Sequence, residues 1–261
     1  MTDDFQHRDV PALGKRVFRL GLAVSHGLDD AGIREALDGE MNYVFWNPLA
    51  RRLVAPLREA LARDRERYVV ATGPTFGWFA GPIRRRVETA LRELGTDYLD
   101  VLQIYWVGVS SALSEANVEV LSRLREEGKV RAVGVSIHDR QRAGRLAEDS
   151  MLDLLMIRYN AAHPGAETDI FPRLARRKPA VVAYTATAWR RLLRTPRGWV
   201  GPAATAGDCY RFCLSCPSVD VVLCSPASAT QLREDLAAAG RGALDAGEMD
   251  FMRRLGRAVH G

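Results

Sequence analysis

Short apolar runs alternate with longer amphipathic ones along nearly the whole chain. The apolar runs are FRLGLAV, MNYVFW, YVVAT, LDVLQIYW, RAVGVS, LDLLMIRY, AVVAYTA and VDVVLCS. Most are close to continuous, as strands are when a parallel sheet buries them on both faces. Between them, stretches such as DAGIREALDG, RRLVAPLREALARDR and IRRRVETALRELG repeat apolar residues at helical spacing. Eight strands alternating with helices predict a closed barrel or a doubly wound sheet. The first strand–helix turn, AVSHGLDD, lacks the G-x-G-x-x-G of a dinucleotide-binding sheet, which favours the barrel. A last amphipathic run, AGEMDFMRRLGRAVHG, adds a helix beyond the eighth unit. The expectation is an α/β chain, a (β/α)8 TIM barrel with an extra C-terminal helix. It forms one domain over residues 1–261, with 1–16 as a flexible or loosely packed segment.

Composition narrows the function more than the fold. Hydrophobic residues make up 47% and charged residues 26% of 261, an ordinary globular balance. No apolar run is long enough for a membrane-spanning helix, and the polar, acidic start differs from a signal peptide. A cytoplasmic protein with no membrane partner is expected. The net charge of +5 rests on arginine, because Lys15, Lys129 and Lys178 are the only lysines. Acids interleave with these arginines, as in LREEGKVR, which reads as solvated helix faces and not as a nucleic-acid surface. Cys209, Cys213 and Cys216 have a C-x3-C-x2-C spacing that could hold an iron–sulfur cluster. Yet TAGDCYRFCLSC reads as an amphipathic helix with those cysteines on its packed face, where they act as small hydrophobes. No metal and no disulfide are expected.

Several segments resemble the aldo-keto reductase family. They are GEMNYVFWNPL, GTDYLDVLQIYW, REEGKVRAVGVSIHD, IRYNAAHPGAETDIFPRLA, AVVAYTATAWRRLL and VDVVLCSPASATQLREDL, and their order covers the chain from about Val17 onward. The resemblance implies carbonyl reduction with a nicotinamide cofactor, by a tetrad of aspartate, tyrosine, lysine and histidine. Matched residue by residue, those four fall on Phe45, Ala50, Gly73 and Tyr105. A phenol with a pKa near 10 is a weak acid without a neighbouring ammonium, so the departure changes the chemistry. The cofactor site is kept in part. Ser136 matches a contact to the nicotinamide amide and Tyr184 the ring that stacks on it, while Ser228, Glu234 and Asp235 resemble the adenosine side. Ile137 and Met156 stand where the family has amides. Pro226 removes a backbone N–H where an anion wants donors. The cofactor is therefore left unassigned, with NAD(P)H as the candidate.

In such barrels, chemistry sits where strands end. Candidates for proton transfer are Tyr105, His138 and His26. The aromatic residues Phe45, Trp46, Trp78, Trp106, Trp189 and Trp199 fall in the same half of the barrel, as lining for a small planar or aromatic ligand. The segment WRRLLRTPRGW reads as an anion clamp or as a solvated basic helix. Three readings follow: an enzyme doing other small-molecule chemistry such as dehydration or isomerisation, a reductase with another proton donor, and a non-catalytic ligand-binding barrel. Nothing in the chain specifies an oligomeric state.

Overall fold

The computed structural model describes residues 4–73, 80–107 and 113–260; Trp78 and the side chain of Trp106 lie outside them. A hairpin comes first, β1 (His7–Val10) and β2 (Lys15–Phe18). The eight barrel strands are β3 (Leu20–Ala23), β4 (Tyr43–Trp46), β5 (Val69–Thr72), β6 (Leu99–Val107), β7 (Val130–Ile137), β8 (Leu154–Arg158), β9 (Ala180–Tyr184) and β10 (Val221–Cys224). They pair in parallel and in chain order, and β10 closes on β3. The helices are α1 (Asp30–Asp38), α2 (Val54–Arg63), α3 (Ala80–Leu94), α4 (Glu115–Glu126), α5 (Arg140–Glu148), α6 (Ala166–Asp169), α7 (Ala206–Leu214), α8 (Ala229–Gly240) and the added α9 (Ala246–His260). Each apolar run expected to be a strand overlaps one of these eight.

Alternation along the strands divides the core in two. Inside the barrel lie Ala23, Tyr43, Val69, Ala71, Val101, Met156, Val182 and Leu223. Outside it, Leu22, Val44, Trp46, Leu102, Ile104 and Val222 meet the helices. Gly21 makes room for the inner layer, since a Cβ there would come within 2.9 Å of both the Tyr43 ring and Val221. Helix starts are fixed by short polar side chains. Asp29, Ser114, Asp139, Thr205 and Ser228 each accept a backbone N–H of the first turn.

The N-terminal segment corrects an expectation. From residue 7 it is not loose but forms the hairpin, whose Val10 and Val17 pack into the lower end of the barrel core. Lys15 reaches Asp100 at 3.1 Å and the Tyr68 carbonyl at 2.7 Å, and Arg65 meets the same carboxylate at 2.7 Å. Both HRDV and KRVF open on polar and charged residues and carry only one or two apolar ones, which hid the strands from a search for continuous apolar runs. The cysteines behave as expected: Cys209, Cys213 and Cys224 are buried free thiols, and Cys216 lies just past the end of α7. Among the described residues, no group of three His, Cys, Asp or Glu side chains is placed to hold a metal ion. Among the described residues no helix is long and apolar enough to cross a membrane.

Candidate active site at the barrel mouth

Strand ends β7, β8 and β9 bring three polar side chains together. The Tyr184 hydroxyl lies 3.0 Å from Nδ1 and 3.1 Å from Nε2 of His138, so it reaches either ring nitrogen. The two rings meet edge to face, with centroids 5.8 Å apart. Burial pushes the Tyr184 phenol up to about 12, against the opposing pull of the Arg158 charge and the Ser136 hydroxyl. Burial, helped by the same Arg158 charge, holds His138 below its ordinary value, so its imidazole is neutral at pH 7. Arg158 ends β8 in register with Tyr184, on the neighbouring strand.

Tyr105 lies on β6, the strand next to β7, and is only 6% exposed. Its ring packs against Phe45, with centroids 5.7 Å apart, and Thr72 and the Gly73 main chain face its hydroxyl. Burial raises its pKa well above that of a free phenol. No described lysine comes near: Lys15, Lys129 and Lys178 all precede strands, on the opposite face. His26 stands apart from the other candidates. It follows β3, which is four strands from β7 in the ring of eight, and so faces His138 across the mouth. There it binds Ser225 Oγ at 3.2 Å, while the Ser25 N–H donates to the same oxygen at 2.9 Å. The trio ties the two sides of the barrel seam together.

The tryptophans divide. Trp46 was expected to line the mouth, but it is fully buried in the layer between strands and helices, because alternation turns it outward when Phe45 turns inward. Trp199 packs edge-on against Phe251 of α9 and donates its indole N–H to the Pro202 carbonyl at 3.0 Å, so it secures the last helix. Trp189 is 56% exposed, with the Arg158 guanidinium 5.7 Å from its ring. The chain around it is no basic helix. Ala188, Trp189 and Arg190 have φ of 49°, 54° and 67°, a left-handed turn built without glycine. Such residues cost about 1–3 kcal/mol each and cluster where function holds them. His163 meets Trp189 edge-on at 5.8 Å and binds Asn160 at 3.0 Å, which keeps it a structural residue of that loop.

The dinucleotide cofactor that the fold implies meets a donor set that does not suit it. Ser136 is paired in register with Met156, which faces the barrel interior without a hydrogen-bonding group. After β10, Pro226 has no N–H, and the Ala227 N–H is already given to Gln231 Oε1 at 2.9 Å. The Ser228 oxygen caps α8. Glu234 is exposed while Asp235 is 5% exposed, so the two adjacent residues address different faces of α8. Burial, then the nearby Glu234, pushes Asp235 up to about 7. Of the backbone donors after β10, those of Ala227 and Gln231 are already spent within the protein.

Arg158 is the site residue that reading the sequence did not single out. Its signal was there: an arginine closing an otherwise apolar strand, LLMIR, at the end where chemistry is done.

Comparison with known proteins agrees with this architecture. The methylglyoxal reductase YeaE of Escherichia coli is 31% identical over 141 residues, 52% of this chain and 49% of that protein. An NADH-specific methylglyoxal reductase of the same organism is 29% identical over 92 residues, 34% of this chain and 28% of that one. The matches thus span half or less of these relatives' length. Among solved structures, aldo-keto reductase AKR11C1 from Bacillus halodurans in its holo form superposes with a TM-score of 0.80 at 21% identity, covering 97% of both chains. A Klebsiella pneumoniae aldo/keto reductase in complex with NADP and acetate gives 0.76 at 22%, covering 94% of this chain and 93% of that one. Residues 48–194 match the sequence profile of the Aldo/keto reductase family, more than half of the chain, and the protein belongs to that family.

Proposed function

We propose that this barrel acts on small carbonyl compounds by moving protons, as an isomerase or a dehydratase does, and not by the reductive tetrad. The hydrogen bond between Tyr184 and His138 carries this reading. In the tautomer where one His138 nitrogen donates to the phenolic oxygen, the other nitrogen is basic and the Tyr184 proton is free for an oxygen on the ligand. A base and an acid then stand side by side, both in the correct form at pH 7. The C–H bond next to a carbonyl breaks, and its proton goes to the imidazole. The electron pair moves to the carbonyl oxygen, which takes the Tyr184 proton. With an α-hydroxy carbonyl ligand, the imidazolium then gives its proton to the former carbonyl carbon while the neighbouring hydroxyl gives its proton to the Tyr184 phenolate, which completes an isomerisation and restores both groups. Tyr105 and Phe45 form the adjacent wall, and Trp189 the exposed rim. The names of the E. coli relatives, methylglyoxal reductases, support small carbonyl compounds as the class of ligand.

A nicotinamide-linked reduction with Tyr105 as proton donor is the second reading, favoured by Ser136 lying beside Tyr184. Proton NMR in deuterated buffer separates the two. Exchange at carbon next to the carbonyl of hydroxyacetone or pyruvate, above the buffer rate and without added cofactor, is expected. No exchange, together with NADH or NADPH consumption on a carbonyl panel, sinks the first reading in favour of the second.

A further inference from the structure

Among the described residues the Arg158 guanidinium has no acidic partner, whereas Arg140 and Arg253 nearby have theirs. Three acids of the neighbouring segments are otherwise engaged. Asp139 accepts the Arg142 N–H at 3.0 Å, Asp169 binds Arg140 at 2.7 Å, and Glu167 binds Arg253 at 2.9 Å and the Tyr159 hydroxyl at 2.7 Å. Arg190, Arg194 and Arg197, in the loop after β9, are also exposed and add to a positive rim.

A half-buried arginine without a counter-ion is costly unless something completes it. Its setting says what. The Trp189 indole flanks the guanidinium, fixed there by the left-handed turn, and leaves the planar fork to face a planar anion. Register sets Arg158 directly beside Tyr184, about one strand spacing away. An anionic group held on Arg158 therefore places the next carbon of a short ligand against the Tyr184–His138 pair. A phosphate would gain from the helix start that follows His138, but Asp139 already occupies the first-turn N–H of α5.

We infer that the site takes its ligand as a small carboxylate, an α-keto or α-hydroxy acid, whose carboxylate is anchored by Arg158 against the Trp189 indole. This rests on the Tyr184–His138 pair being the reacting centre, and it adds the charge and the size of the ligand.

The test uses the full chain, with pyruvate as probe and hydroxyacetone as its neutral counterpart of similar size. Binding is read by saturation-transfer NMR, and proton exchange is read separately. Pyruvate is expected to bind at least about 10-fold more tightly than hydroxyacetone, and Arg158→Gln to remove that preference. Equimolar inorganic phosphate should leave pyruvate bound. Equal binding of the two probes, an unchanged Arg158→Gln variant, or displacement by phosphate each overturns the assignment. The two proposals fail separately. Arg158-dependent pyruvate binding without any proton exchange removes the reaction and keeps the anchor. Exchange on hydroxyacetone that Arg158→Gln leaves intact keeps the reaction and removes the anchor.

Discussion

Gly73 lies so close to the main chain of Gln103 that a Cβ on it would overlap the Gln103 carbonyl oxygen, with the Tyr105 ring 3.0 Å away. The position just after β5, matched in the sequence to a lysine of the family, has no room for any side chain while the Gln103 main chain stands where it does. Gly73→Ala is expected to cost about 2–3 kcal/mol in urea unfolding, as overpacking of a tight core does. Gly73→Lys should lose more and gain no carbonyl reduction. A Gly73→Lys protein of unchanged stability would show that the contact is easily relieved.

Tyr184→Phe and His138→Gln should each lower proton exchange on the best carbonyl substrate by about 10²–10⁴-fold, the usual weight of general acid–base catalysis. Their thermal midpoints should stay near that of the parent, because Tyr184→Phe keeps the ring that packs on the inner core and His138 is exposed at the rim. The double variant should be little worse than either single one, since the two groups act as a unit. Full additivity would count against a shared proton path.

The pH dependence follows from the same pair. His138 is held below its ordinary value of 6.5, so exchange should fall only as pH drops below that value. Tyr184, pushed up to about 12, keeps its proton across the neutral range, and the rate should be flat from pH 7 to 9. A rate that climbs steadily over that interval would point to a different base.

Asp235 gives a stability prediction of opposite sign to most carboxylates. Its carboxyl is buried under α8 with no hydrogen-bond partner among the described residues, and its pKa is raised to about 7. The folded state therefore holds a proton that the unfolded chain releases near pH 4. Its contribution is fully present below about pH 4 and is lost as pH rises through about 7. Asp235→Asn should remove that slope and leave the protein more stable than the parent at pH 8, by chemical denaturation across a pH series.

Asp100 ties the hairpin to the barrel. It is buried between Lys15, Arg65 and the Val70 N–H. Asp100→Ala strands two cations at the lower end of the barrel and should cost about 3–5 kcal/mol in denaturant unfolding. A loss under 1 kcal/mol would mean that water replaces the carboxylate there.

The barrel could be read from the sequence because its strands are buried on both faces, so AVVAY and VVLC declare themselves by composition alone. The hairpin could not: HRDV and KRVF become strands only by docking on a finished barrel. Phe45 and Trp46 show a reading that was available. Period-two alternation puts one inward and the other outward, yet both were grouped as mouth aromatics. The Tyr184–His138 contact joins residues 46 positions apart, and no local pattern encodes such a distance. Arg158 needed a different question, namely which strand-end charges lack an opposite charge.

Arg19, between hairpin and barrel, has a consequence in time. Buried at the start of the chain, it hydrogen-bonds the carbonyls of Leu214, Val219 and Asp220, about 200 residues onward. A ribosome releases those partners about 200 residues after Arg19. Until then the first barrel strand has an open edge and a guanidinium without its carbonyls, so the nascent chain cannot complete its ring. Closure must wait for the final strand, and the earlier units remain exposed to pairing errors, or to chaperones, for most of synthesis.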